Sequence, residues 1–248
     1  MPLSVTIITR NAAAQLERCL ESVALAEEVV VVDSGSTDGT LELAARRGAR
    51  VIRKEWLGFG AQKQFAVEAA SHDWVLCVDA DERVSRELRE QITEELKAPR
   101  GFVYAMPRRN RFLGRWLKHG EGYPDWSVRL FHRAHARWSG EPVHEKVLTR
   151  SPVLRLSGDL LHDSAETLEK YLDKQNRYTS LQAESLRAAG RRANVLHLVL
   201  SPLLRFIKFY LLRLGFLDGV PGLVHIAIGC MNSFNKYAKL KALERAAE

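Results

Sequence analysis

Two carboxylates one residue apart, Asp79 and Asp81, close the apolar run Trp74-Val75-Leu76-Cys77-Val78. Such a run reads as a buried strand, and in open α/β sheets ligands sit beyond the carboxyl ends of the strands. Acidic oxygens at that place suit a hard divalent cation, Mg²⁺ or Mn²⁺, bridging the phosphates of a nucleotide. An isolated Asp-x-Asp is more often a turn that merely ends a strand, so the rest of the chain has to decide. A second apolar run, Glu28-Val29-Val30-Val31-Val32, also ends in a carboxylate, Asp33, ahead of the turn Ser34-Gly35-Ser36-Thr37-Asp38-Gly39. Arg53, Lys54 and Lys63 precede the Asp79 strand and could add positive charge, although basic side chains at such positions are usually solvated.

The elements that must position these groups alternate. Residues 3–9 (LSVTIIT) are apolar and β-branched, a buried strand that ends at Thr9 with Asn11 at the turn. Residues 12–24 carry helical spacing through Leu16, Leu20 and Val23, and 28–33 form the second strand. Residues 40–47 are helical with Gly48 as cap, Val51-Ile52 opens a third strand, and 61–70 is a helix before the Asp79 strand. The order β-α-β-α-β-α-β predicts a parallel sheet with right-handed crossovers, complete before about residue 100.

The chain has 248 residues, 46% hydrophobic and 27% charged, enough for one α/β domain with an appendage. Its net charge of +7 invites a polyanionic partner: nucleic acid, an anionic membrane surface or a phosphorylated substrate. Cys19, Cys77 and Cys230 form no CxxC pair and read as reduced thiols of a cytosolic protein. Met1-Pro2-Leu3-Ser4 enters a strand without a basic leader region, which predicts no secretory signal.

Three blocks carry a resemblance: Val5-Thr6-Ile7-Ile8-Thr9 with Asn11, then Val32-Asp33-Ser34-Gly35-Ser36-Thr37-Asp38-Gly39-Thr40, then Val78-Asp79-Ala80-Asp81-Glu82. In order and spacing they are similar to the family 2 glycosyltransferases of the GT-A fold, over roughly residues 2–150. The resemblance implies a nucleotide-sugar site at Thr9, Asn11, Asp33, Ser34, Asp79 and Ala80, to which Arg53 and Lys63 could add positive charge. It implies a metal, Mg²⁺ or Mn²⁺, at Asp79 and Asp81, with Asp81 the main ligand. Many members have Asp-Asp-Gly-Ser where this chain has Asp33-Ser34-Gly35-Ser36. The breaking glycosidic bond leaves growing negative charge on the diphosphate, which a divalent ion stabilises.

Residues 100–150 change character, with arginines interleaved among Phe102, Tyr104, Phe112 and Trp116. An inverting transfer needs a base for the proton of the acceptor hydroxyl. Asp125, followed by Val128-Arg129-Leu130-Phe131-His132-Arg133, is the first choice; Glu145 is second, and Glu121 is also available. Arg129 and Arg133 could hold a phosphate or acidic group of the acceptor through bidentate contacts. His144 reads as a structural histidine, because no His/Cys cluster surrounds it. Processive members carry Gln-x-x-Arg-Trp; here Phe112 stands in the place of Gln before Arg115-Trp116, so one sugar per acceptor is expected.

Residues 164–189 read as a polar helix with Ser164 as cap and Gly190 at its end. Residues 195–214 are the most apolar stretch, but Pro202, Arg205, Lys208 and Arg213 argue against a span. Phe206, Ile207, Tyr210, Leu211 and Leu214 share one helical face, a pattern for a helix lying in the membrane interface. Packing on the catalytic domain or at a dimer interface is the alternative. A second apolar helix (220–231) leads into a tail with Lys236, Lys239 and Lys241.

The expected fold is therefore α/β: a GT-A, Rossmann-like mixed sheet with a C-terminal helical, membrane-facing extension. Residues 1–160 form the catalytic domain (nucleotide-sugar half 1–98, acceptor half 99–160) and 161–248 the membrane-associating region. Within family 2, the tail and the second block resemble bacterial lipopolysaccharide inner-core β-1,4-glucosyltransferases. That resemblance implies a UDP-hexose donor, with glucose from UDP-glucose given by analogy. It also implies a lipid-anchored heptose acceptor, an anionic membrane surface, and a place at the cytoplasmic face of the inner membrane. Transfer to a polyprenyl phosphate is the enzymatic alternative, and a basic lipid- or nucleic-acid-binding protein the non-enzymatic one. Nucleic acid is not an expected partner, and an oligomer is left open. A haloacid-dehalogenase phosphatase also places Asp-x-Asp after a strand, but three strands precede it here. Thr9-Arg10-Asn11-Ala12 lacks the glycines of a dinucleotide fingerprint.

Overall fold

The structure is a computed structural model that describes residues 1–140, 145–163 and 167–245. His144 and the expected cap Ser164 lie outside the described residues. The described chain divides into two compact units, one formed by 1–108 and 126–163, the other by 109–125 and 164–245. The acceptor half expected over 99–160 is thus shared between them.

The first unit begins β1 (Leu3–Thr9), α1 (Ala13–Ser22), β2 (Glu28–Asp33), α2 (Thr40–Arg46), β3 (Arg50–Arg53), α3 (Phe59–Ala69) and β4 (Trp74–Asp79). These four strands are parallel in the order β3-β2-β1-β4. Then follow β5 (Glu82–Val84), α4 (Arg86–Glu95), β6 (Val103–Phe112) and β8 (Asp125–His132), with β7 (Arg115–Trp116) in the second unit's 109–125 segment. Next come β9 (Ala136–Trp138), β10 (Val147–Thr149), β11 (Val153–Arg155) and β12 (Leu160–His162). β8 joins β4 antiparallel, and the sheet continues through β6 and β12 to β5, so it is mixed. β9 and β10 form a separate antiparallel pair.

The apolar runs are continuous because both faces of the sheet are covered. Leu3, Val5, Ile7, Leu76 and Val78 pack with Leu16 and Leu20 of α1 and Leu88 and Ile92 of α4. The alternate residues Val75 and Cys77 pack with Val67, Phe131 and Trp138 on the other face. α4, which the sequence reading did not place, starts at Ser85, whose side chain accepts the Leu88 N–H.

The second unit holds α5 (Leu168–Ala188), α6 (Val195–Phe206), a π-helical stretch (Ile207–Leu212), a 3-10 turn (Gly215–Asp218) and α7 (Gly219–Arg245). α7 runs unbroken through the apolar stretch and the basic tail. The expected apolar face of 206–214 is corrected. Phe206, Ile207 and Tyr210 are half-buried, and the exposed residues are Val195, Leu196, Val199, Leu200, Leu203, Leu204, Leu211, Leu212 and Leu214. Pro202 inside α6 removes a backbone donor, and the wider π turn that follows rotates later residues away from the α-helical register. The window Val195–Leu212 has a mean hydropathy of 1.7 and no buried residue, and by length and composition it could cross a membrane.

At the end of α4, Glu95 is buried and ties down the entry to β6. Its carboxylate accepts the Arg100 N–H at 2.8 Å, Arg100 Nε at 2.9 Å and the Tyr104 hydroxyl at 2.8 Å. Hydrogen bonds from Arg100 outweigh burial and pull the Glu95 carboxyl from 4.5 down to about 2. Because the folded value is depressed, the stabilisation is complete above 4.5 and is lost as the pH falls through about 2. Glu95→Gln should lower unfolding stability by about 1–2 kcal/mol at neutral pH. In urea titrations its deficit against the unchanged chain should shrink toward pH 2; a deficit constant with pH would refute the assignment.

Candidate active site

Strand register brings the key ends together. Thr9 lies across from Asp33, Ile8 across from Asp79, and Arg53 across from Asp33. All stand at the carboxyl edge of the parallel strands, where ligands bind in such sheets.

The Asp33 corner is a braced turn. Asp33 Oδ1 accepts the N–H groups of Gly35 and Ser36, each at 2.9 Å, and the Ser36 hydroxyl donates to Oδ2. Asn11, at φ +50°, accepts the Thr37 N–H at 2.8 Å and donates its own N–H to Ser36 Oγ at 2.8 Å. The Ser34 N–H donates to the Thr9 carbonyl, and Ser34 Oγ accepts from Gln62 Nε2 at 3.1 Å. Thr9 Oγ1, by contrast, is buried without a hydrogen-bond partner among the described residues, a polar atom that a ligand would satisfy.

The second corner is ionic. Lys63 Nζ lies 3.0 Å from Asp79 Oδ1, and Arg129 Nη2 lies 2.9 Å from Asp79 Oδ2 and 2.7 Å from Glu82 Oε1. Glu82 Oε2 accepts the Asp79 N–H at 2.9 Å, and Arg108 Nη1 lies 3.7 Å from Glu82 Oε1. Lys63 and Arg129 are nearly buried and Glu82 is wholly so. Burial works against the charge on Asp79, but Arg129 and Lys63 outweigh it and hold the carboxyl well below the usual carboxylate range. Burial also opposes the charge of Arg129, and Asp79 and Glu82 overcome it, pushing Arg129 up. Glu82 is pushed up by burial, with Arg129 pulling against it and Asp79 adding to the rise.

Lys63 reaches a third carboxylate, Glu145 Oε1, at 3.3 Å. Gly60, one turn earlier on α3, makes this approach feasible, because a Cβ there would run into the Ser139 carbonyl. The Ser139 N–H donates to the Lys146 carbonyl at 2.8 Å, and Lys146 N–H returns to Ser139 Oγ at 3.1 Å.

Asp81 behaves differently from Asp79. Both are half-buried, but Asp81 has a different partner: its Oδ2 lies 3.2 Å from His162 Nε2. Pairing of β12 with β5 brings His162 across from Glu82. Among the described residues there is no group of three or more His, Cys, Asp or Glu side chains suited to a metal. Asp81 and His162 nevertheless place an oxygen and an imidazole nitrogen side by side, donor types that would suit a divalent ion. The sequence reading missed His162, and nothing in its spacing from Asp81 could have revealed it.

Three expectations are corrected by position. Arg129 does not face an acceptor; β8, antiparallel to β4, turns it inward onto Asp79 and Glu82. Arg133 follows the His132–Trp74 pair at the opposite end of β4, roughly 17 Å along the strand from Asp79. There it binds Asp73 at 3.0 Å and the Ala70 carbonyl at 2.7 Å. Glu121 is committed within the second unit to Arg205 Nε at 3.0 Å. Asp125 opens β8 and is the last residue of the second unit's 109–125 segment. Ala80 is buried in the turn after β4, and Arg53 is exposed.

Arg129→Met would leave Asp79 and Glu82 buried without their shared cation. It should cost about 3–5 kcal/mol in urea unfolding; a loss below about 1 kcal/mol would show that the brace is dispensable.

Residues 4–156 match glycosyl transferase family 2. The lipopolysaccharide core biosynthesis glycosyltransferase LpsC of Rhizobium meliloti (strain 1021) is 32% identical, over 97% of this chain and 92% of its own. An uncharacterized glycosyltransferase of Rickettsia prowazekii (strain Madrid E) is 31% identical, over 97% of this chain and 87% of its own. The crystal structure of S. aureus TarS 1–349 in complex with UDP has a TM-score of 0.50 at 17% identity, covering 100% of this chain and 92% of that one. The latter is a likeness of fold, and it agrees with the expected GT-A architecture. By its family match and its relatives along nearly the whole length, the chain belongs to glycosyl transferase family 2 and is a glycosyltransferase.

Proposed function

We propose that this glycosyltransferase moves one hexose, glucose from UDP-glucose, with inversion onto a heptose of a lipid-anchored lipopolysaccharide inner-core acceptor. The observation that carries the reading is the carboxyl edge of β1, β2 and β4, where an unsatisfied Thr9 hydroxyl, a cationic brace and the Asp81–His162 pair lie on one unit. A relative is named for lipopolysaccharide core biosynthesis, and TarS, similar in fold, has been solved with UDP and with UDP-GlcNAc.

In this reading Thr9 meets the nucleoside, with the Asn11–Asp33–Ser34 turn and Arg53 shaping its pocket. Asp81 and His162 would hold Mg²⁺ or Mn²⁺, which would neutralise charge on the diphosphate. Asp79 keeps Lys63 and Arg129 in place beside the phosphates rather than carrying the metal alone. A carboxylate takes the proton from the acceptor hydroxyl as that oxygen bonds to the anomeric carbon, and the bond to the diphosphate breaks with its electron pair. Glu145 and Asp125 are the two candidates. Glu145 is favoured because it shares Lys63 with Asp79.

The exposed leucines of α6 and the basic residues Lys208 and Arg213 support attachment to an anionic membrane surface, at the cytoplasmic face of the inner membrane. The same apolar surface would serve a polyprenyl phosphate acceptor, which the assay has to separate.

UDP release from UDP-glucose, with Mn²⁺ or Mg²⁺, should rise with a heptose-containing core lipid and not with a polyprenyl phosphate; the reverse would change the acceptor class. Asp81→Ala and His162→Ala should each abolish metal-dependent UDP binding, and full retention by either would remove that ligand. Glu145→Gln should lower kcat by at least about 100-fold while sparing UDP affinity. Unchanged turnover would transfer the base to Asp125, where Asp125→Asn gives the same measurement. Leu203→Asp with Leu204→Asp should prevent co-sedimentation with anionic vesicles yet leave turnover of a delipidated acceptor intact; persistent sedimentation would refute the interfacial role of α6.

A further inference from the structure

The ionic corner has an aromatic wall. Trp138, the last residue of β9, is 7% exposed. Lys63 Nζ lies 4.8 Å from the centroid of its indole, and the Arg129 guanidinium carbon lies 5.7 Å from it. Both distances are within the range of cation–π attraction. The indole N–H donates to Cys77 Sγ at 3.3 Å, and the Trp138 backbone N–H donates to Gln64 Oε1 at 2.9 Å. Cys77 lies two residues before Asp79 on β4, and Gln64 follows Lys63 on α3. The ring is therefore fixed to the strand that carries Asp79 and to the helix that carries Lys63.

An aromatic wall and an acidic one would have opposite consequences. A carboxylate in place of Trp138 would neutralise the cations, whereas a ring face attracts them through its quadrupole and adds no negative charge. Arg129 Nε and Nη1 are buried and have no hydrogen-bond partner among the described residues. Two N–H donors of a guanidinium are thereby held ready in a desolvated corner, where an anionic group gains most from them.

We propose that Trp138 is a positioning residue: its indole face fixes Lys63 and Arg129 where their N–H donors hold the diphosphate of the donor. The proposal rests on the nucleotide-sugar reading above. It assigns to Trp138 no contact with the substrate, only the placement of the two side chains that make one.

Calorimetric titration with UDP and with uridine tests it, on the unchanged chain, Trp138→Phe and Trp138→Leu, at fixed Mg²⁺. Trp138→Leu should weaken UDP binding by about tenfold and leave uridine binding unchanged. Trp138→Phe keeps a ring face but loses the bond to Cys77, and it should stay within about threefold of the unchanged chain for UDP. A purely structural role would weaken UDP and uridine in parallel, or Phe as much as Leu, and either result overturns the proposal. So does a Leu variant with full UDP affinity. Trp138→Met provides the same comparison if Trp138→Leu fails to fold. If the unchanged chain binds no UDP, the nucleotide-donor reading falls and this one with it; if it binds UDP and Trp138→Leu is unimpaired, only the positioning role falls.

Discussion

Two carboxylates side by side, Glu82 wholly buried and Asp79 half-buried, oblige the fold to bring cations to them. Unpaired, either charge would be expelled from the core or protonated. The three cations arrive from three elements: Lys63 from α3, Arg108 from β6 and Arg129 from β8. Arg129 reaches both acids through one nitrogen, which explains why β8 lies antiparallel against β4 with its arginine turned inward. The brace spans the parallel and antiparallel halves of the mixed sheet. Losing it would affect stability and the site together, because a half-satisfied buried network is worse than none.

The same constraint separates two aspartates that look alike. β4 ends at Asp79, so Asp79 still lies in the sheet among its cations, whereas Asp81 stands in the turn that leads to β5. One residue of separation in a strand would have put both on one face. The end of the strand instead gives them different partners, the cations Lys63 and Arg129 for one and a half-buried imidazole for the other. A motif written as a pair thus divides between two sets of partners.

What was legible in the sequence follows from how each element is stabilised. β1, β2 and β4 are buried on both faces, so they appear as unbroken apolar runs, and the carboxylates that end β2 and β4 mark the edge where ligands bind. The strands β5 and β12 have three residues each, too few to show any period, and only their long-range pairing brings His162 to Asp81. Arg129 and Arg133 looked equivalent in an arginine-rich stretch, but one turns into the core from β8 and the other passes beyond its end. The Asp33 turn was recognisable by its small residues, yet that its carboxylate is spent on Gly35 and Ser36 is a matter of local backbone geometry that composition does not carry. Trp138 gave no sign of its role, because a tryptophan in a strand is ordinarily core.

The second unit answers a charge in the same way. Arg205 lies within the apolar stretch 195–212, where an unpaired guanidinium would oppose any apolar environment. It is bonded inside the unit to Glu121 and, at 3.0 Å, to Ser233 Oγ, so its charge is met by protein groups and not by the surroundings of α6. Burial pulls the Arg205 pKa down, the expected direction for a cation withdrawn from water. That removes one of the charges that argued against contact with lipid, while Lys208 remains exposed at the end of the leucine-rich face. An apolar face with its internal charge paired and a lysine at its border suits the plane of a membrane interface, where the leucines enter the acyl boundary and the ammonium stays among the headgroups.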